Sequence, residues 1–131
     1  MKRLLIVDDE PSIRYTVRVL FESEGWEVLE ASNGEECLGL VAGGYRGIVL
    51  MDIMMPGLDG WDTIRLLAER GLLAGCHVLM LTARETPDAK MEGLQEAVLD
   101  YFTKPFDGDA LVRAVSQWLD FLPPAPGAVR P

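Results

Sequence analysis

The chain has 131 residues, 49% of them apolar, which fits one domain around a single core. Its formal net charge of −9 argues against a nucleic-acid or anionic-membrane surface, because such surfaces need clustered Lys and Arg, so proteins or cations are the expected partners. No apolar run reaches the roughly 18 residues of a membrane span, and the opening "MKRLLIVDDE" turns acidic before a signal-peptide core can form; a cytoplasmic protein is expected.

In chain order, "RLLIVDD" (3–9) is a short Leu, Ile and Val run that stops at acid, the pattern of a strand buried on both faces. Ser12 is placed to cap a helix carrying Ile13, Val17, Leu20 and Phe21 on one stripe, with Gly25 at its end. "WEVLEA" (26–31) alternates as a second strand, and a helix over about 34–41 closes at Gly43 and Gly44. "GIVLMD" (47–52) is a third strand ending at acid. "MMPGLDG" (54–60) is turn chemistry leading into a helix through Trp61, Ile64, Leu67 and Ala68. "HVLMLT" (77–82) is a fourth strand, followed by a helix over about 88–98. "YFTK" (101–104) is the fifth strand, and a last helix spans about 107–121. Residues 1–122 form the expected domain, with "PPAPGAVRP" (123–131) as a proline-rich tail or the start of a linker. Cys37 and Cys76 show no metal spacing and read as small apolar side chains, and the lone His77 reads as structural.

Alternation of five strands with five helices implies a doubly wound α/β sandwich, a parallel sheet with helices on both faces. Such sheets bind ligands beyond the carboxyl ends of their strands, where the strand order reverses. Those ends carry Asp8, Asp9 and Glu10 after strand one, Asp52 after strand three, Thr82 after strand four and Lys104 after strand five. Adjacent strands lie about 4.8 Å apart, so these groups can reach a common centre. Crowded carboxylates raise one another's pKa unless a cation intervenes, and an oxygen-only set suits Mg²⁺. One carboxylate could then attack phosphorus while Lys104 and the Thr82 hydroxyl bind phosphoryl oxygens. Taken singly, each residue has a plainer role: a solvated acidic turn, a capped loop, a β-branched strand end, an exposed lysine. Their joint placement favours the site.

The segments "LIVDDEP", "VLMDIMMPGLDGW", "VLMLTAR" and "DYFTKPF", in this order and spacing over residues 3–121, resemble the receiver domains of two-component response regulators, chemotaxis-Y-like. The resemblance implies a flavodoxin-like (βα)₅ fold with strand order 2-1-3-4-5. It makes Asp52 the phospho-acceptor, Asp9 and Asp52 ligands of Mg²⁺ together with the Met54 carbonyl, and Asp8 an acid that holds the metal through water. Thr82 and Lys104 become the switch hydroxyl and phosphate-binding lysine, Tyr101 the switch aromatic, and the Lys104–Pro105 peptide is expected to be cis. Phosphorylation would switch the surface of strand four, helix four, strand five and helix five.

It implies further a sensor histidine kinase or phosphotransfer protein as donor, and a homodimer through the face of helix four, strand five and helix five. The implied chemistry is self-catalysed phosphotransfer and autodephosphorylation, without turnover as an enzyme. Met54 and Arg84 fall where the family tunes phosphoryl lifetime. Where the family commonly has a Gly-Ala-Asp-like stretch, this chain has Ala97, Val98 and Leu99, so the fourth helix is expected to end differently or run longer, and Val98 and Leu99 extend either the core or an interface.

Two rival classes stand beside this reading. An aspartate-nucleophile phosphatase on a similar fold needs a second acid two residues after the nucleophile, where this chain has Met54. A phosphorylation-independent interaction module would keep the fold without using Asp8, Asp9, Asp52, Thr82 and Lys104. Lys104 itself ends an apolar strand with no evident counter-charge, and a phosphorylated Asp52 is its expected partner.

Overall fold

A computed structural model describes residues 2–83 and 93–122. The elements are β1 (Arg3–Val7), α1 (Pro11–Glu22), β2 (Glu27–Ala31), α2 (Gly34–Ala42), β3 (Gly47–Asp52), α3 (Gly60–Glu69), β4 (Cys76–Thr82), a 3₁₀ turn (Gln95–Ala97), β5 (Val98–Thr103) and α4 (Gly108–Phe121), the last helix among the described residues. The strands form one parallel sheet in the order β2-β1-β3-β4-β5. Arg84, residues 88–92 of the helix expected over 88–98 and the tail 123–131 lie outside the described residues.

The sheet is buried on both faces because its strands alternate two apolar sets with period two. Leu5, Val7, Val49, Met51, Val78 and Met80 pack against Trp61, Ile64 and Leu67 of α3 and Cys37, Leu38 and Val41 of α2. Leu4, Ile6, Ile48, Leu50, Leu79 and Leu81 face the other way, onto Val17 and Phe21 of α1 and Leu111 and Val115 of α4. Thus α2 and α3 cover one face and α1 and α4 the other.

Short polar side chains set where three helices begin. Asn33 accepts from Glu36 N at 2.8 Å, Asp107 accepts from Ala110 N at 3.0 Å, and Asp59 and Asp62 form a reciprocal capping box. Helix α1 departs from expectation. Its N-cap is Glu10 without a side-chain bond, and Ser12 lies inside the first turn. Pro11 decides this, since its fixed φ and missing N–H suit the first helical position.

The second correction concerns β5, which starts at Val98 rather than Tyr101 and ends at Thr103. Val98 is buried in the core and Leu99 packs against the α1/α4 side, so both extend the core. Ala97 closes a 3₁₀ turn without a left-handed backbone; the positive φ, 81°, falls on Gly93. Cys37 is buried and Cys76 half-buried, both as free thiols, and burial pushes the Cys37 thiol up to about 12. His77 sits half-buried on β4, its pKa lowered by burial.

Helices α2 and α3 meet at Gly34, where a Cβ would strike Thr63 Oγ1 and lie 2.9 Å from Leu58 Cβ. Gly34→Ala is expected to destabilise the domain by roughly 2 kcal/mol in urea unfolding, and Thr63→Ala to restore part of that loss when combined with it.

Candidate phosphoryl-transfer site

The site forms where the sheet order reverses, between the carboxyl ends of β1 and β3. Val7 pairs with Met51, so the next residues, Asp8 and Asp52, stand side by side. The Asp8 amide donates to the Ala31 carbonyl at 3.1 Å, carrying the sheet one residue past β1. Asp8, Asp9 and Asp52 offer carboxylate oxygens that all lie within 4.8 Å of one another. Asp8 is fully buried, Asp52 is 3% exposed, and Asp9 opens to solvent.

Two such carboxylates cannot both be ionised in a buried site without a counter-charge. Lys104 supplies it. Its Nζ lies 2.7 Å from Asp8 Oδ2 and 3.3 Å from Asp52 Oδ2, with Glu10 Oε1 at 4.0 Å. This corrects the expectation that Lys104 waits for a phosphorylated Asp52: Asp8 is already its closest partner. The reason is burial, because an unpaired Asp8 carboxylate would cost more than an exposed acid. Asp8 Oδ1 accepts from Glu10 N at 2.9 Å, and Asp52 Oδ1 from Met54 N at 3.2 Å. The Met54 side chain itself is exposed.

Burial is the main cause that lifts Asp52 to about 7, and Asp8 adds repulsion that Lys104 and the Met54 amide offset only in part. Burial alone would pull the Lys104 ammonium down, yet the hydrogen bond to Asp8 and the charges of Asp52 and Asp8 outweigh it and hold its pKa above the usual lysine value. The donor set fits a hard divalent cation. All its ligand atoms are oxygen, one carboxylate is open to water, and the repulsion already built into Asp52 is what a cation would relieve.

Thr82 ends β4, 6% exposed, and its carbonyl accepts from Lys104 N at 2.8 Å, which fixes the root of the lysine. The Lys104–Pro105 peptide is cis. Tyr101 pairs with Met80 and lies on the opposite side of β5 from Lys104, its ring 6.3 Å from that of Trp61 on α3. It is 41% exposed. The structure therefore brings Asp8, Asp9, Asp52 and Lys104 together, with Thr82 alongside through the backbone, and leaves Tyr101 on the other face.

Gly60 belongs to the site although the sequence marks it only as a turn residue. A Cβ there would lie 2.8 Å from the Asp52 carbonyl oxygen and 3.0 Å from Ile53 Cα, while its amide donates to Ile53 O at 2.9 Å. Only glycine lets α3 begin against the backbone that carries Asp52.

The response regulator receiver domain model matches residues 4–116. The chain belongs to the response regulator receiver family. It is 34% identical to the protein PilH of Pseudomonas aeruginosa over 88% of this chain and 96% of that one. It is 40% identical to the transcriptional regulatory protein PcoR of Escherichia coli over 88% of this chain and 50% of that protein, and 38% to the phosphate regulon regulator PhoB of P. aeruginosa over 85% and 48%. The chain thus spans about half the length of these two regulators and nearly all of PilH. Among solved structures, a receiver domain from Methanospirillum hungatei superposes with a TM-score of 0.87 at 44% identity, covering 92% of this chain and 95% of that one. The response regulator TrrA of Thermotoga maritima, solved with Mg²⁺ and BeF, gives 0.75 at 33% identity over 89% and 98%. The receiver is a signalling domain of two-component systems, with an acidic pocket of the kind that binds Mg²⁺ in this family. None of the helices among the described residues is long and apolar enough to cross a membrane.

The raised pKa of Asp52 fixes a sign. A carboxyl that holds its proton more tightly when folded contributes stability that is complete below its unfolded pKa near 4 and is lost as pH rises through about 7. Asn mimics the protonated carboxyl. In thermal melts without divalent cations, Asp52→Asn is expected to match wild type near pH 4 and to melt roughly 5–10 °C higher at pH 8.

Proposed function

We propose that this domain takes a phosphoryl group onto Asp52 from a phosphohistidine of a sensor histidine kinase or phosphotransfer protein, and passes the change to an output partner or domain. The observation that supports this most is Asp52 itself: a buried carboxylate at the open end of the sheet, beside two more acids and 3.3 Å from an ammonium. In this reading a carboxylate oxygen of Asp52 attacks phosphorus, the P–N bond to the donor imidazole breaks, and the freed imidazole keeps the N–P electron pair and takes a proton. Asp9, Asp52 and the Met54 carbonyl would hold Mg²⁺, with Asp8 reaching it through water. Bound there, Mg²⁺ supplies the charge neutralisation that lets two anions meet.

Lys104 would follow the new charge, exchanging part of its contact with Asp8 for a phosphoryl oxygen. Thr82 would take a second phosphoryl oxygen, and Tyr101 would respond on the far face, where Trp61 offers an aromatic wall. The population shift can be only as large as the difference in these contacts between the two states. Hydrolysis of the acyl phosphate by water resets the domain, so it is its own substrate rather than a turnover enzyme. The surface expected to change, and to support a homodimer, includes β5 and α4, where Tyr101 and Phe121 are exposed. Free Cys37 and Cys76 agree with a reducing, cytoplasmic setting. The aspartate-nucleophile phosphatase gains no support, because the exposed Met54 side chain has no proton to give.

Incubation with acetyl phosphate and Mg²⁺ is expected to add one acid-labile phosphate, seen as a mass gain, to wild type and none to Asp52→Ala. Equal labelling of the two proteins, or steady turnover of p-nitrophenyl phosphate by wild type, would sink this assignment. Lys104→Met is expected to lower the labelling rate at least ~100-fold while leaving the domain folded by circular dichroism.

A further inference from the structure

Arg14 and Glu30 are charged, partly buried, and given no role by the chemistry above. Arg14 stands one turn into α1, and its Nη1 donates to the Asp8 carbonyl oxygen at 2.6 Å. That carbonyl lies one residue past the end of β1, at the root of the turn that carries Asp8, Asp9 and Glu10. Arg14 Nε donates to Glu30 Oε1 at 3.2 Å, and Arg18 Nη2 meets Glu30 Oε2 at 2.8 Å. Each oxygen of Glu30, on the edge strand β2, therefore holds one guanidinium.

We propose that Arg14 is a positioning residue for the acidic turn, held in orientation by Glu30, and that it sets the affinity of the site for a divalent cation. The inference rests on the phosphoryl-transfer reading of Asp52. Asp8 is tied at four points: its amide by the Ala31 carbonyl, its own carbonyl by Arg14, one carboxylate oxygen by Glu10 N and the other by Lys104. The last tie is the one that a ligand in the site would compete for. Arg14 binds the backbone instead, so its hold survives when Lys104 moves. Asp9 is exposed and follows Asp8 directly in the chain, so it takes its direction from this backbone. The planar fork of arginine suits the task because one guanidinium reaches a carbonyl and a carboxylate at once.

The effect of removing Arg14 separates this role from two others. On charge alone, deleting a cation near the site strengthens Mg²⁺ binding. A merely structural role would lower the melting temperature and leave Mg²⁺ affinity unchanged. A positioning role weakens Mg²⁺ binding, as the loss of groups that orient metal ligands does elsewhere.

The experiment is an NMR titration of the full chain with Mg²⁺ alone, run well below each variant's melting temperature, with acetyl phosphate labelling of wild type beside it. Arg14→Met is expected to raise the Mg²⁺ dissociation constant about tenfold. Arg18→Met, which removes the other partner of Glu30 without touching Asp8, is expected to change it by less than about twofold. If Arg14→Met does not fold, Arg14→Lys serves. It keeps the charge but cannot hold Asp8 O and Glu30 together, and an intermediate loss is expected. Unchanged or tighter Mg²⁺ binding by the folded Arg14 variant overturns the inference while wild-type labelling at Asp52 stands. Wild type that neither binds Mg²⁺ nor takes label overturns the phosphoryl-transfer reading itself.

Discussion

The contact on which the rest of the site depends is the pair between Lys104 and the buried carboxylates of Asp8 and Asp52. Two acids at the end of a doubly buried sheet are a liability, and Asp52 shows the cost in a pKa lifted to about 7. A single ammonium one residue past β5 offsets part of it, reaching across β4 and β3 to the end of β1. The lysine shares itself unevenly, closer to Asp8 than to Asp52. Compensation is therefore incomplete, and the acid left least satisfied is the one proposed to react. A perfectly paired Asp52 would gain little from either a cation or a phosphoryl group.

Everything around this centre serves to keep charge at the open end of an otherwise apolar sheet. The order β2-β1-β3-β4-β5 sets β1 beside β3, so two chain-distant aspartates become neighbours. Gly60 lets α3 start against the Asp52 backbone, and the capping box of Asp59 and Asp62 secures that start. The backbone bond from Lys104 to Thr82 fixes the lysine's root to β4. These are contacts of backbone and short side chains, with little freedom to drift. On the other face of β5, Tyr101 lies half-open against Trp61, which separates the chemistry from the surface that would report it.

The local pattern of the chain determined much of this. Period-two apolar runs ending in acid, hydroxyl or base specify buried parallel strands and put Asp8, Asp9, Asp52, Thr82 and Lys104 at one edge, because side-chain direction in a strand depends only on position. Ser12 was misleading because proline competes for the same helix start, and Val98 because an apolar residue next to alanine and glutamate fits helix and strand alike. Other features needed the tertiary structure. Which acid holds Lys104, how far Asp52 is raised, why positions 34 and 60 admit only glycine, and how Arg14 reaches the Asp8 carbonyl all depend on distances between segments far apart in sequence. Strand register, helix placement and burial fix those distances together, and no residue carries them alone.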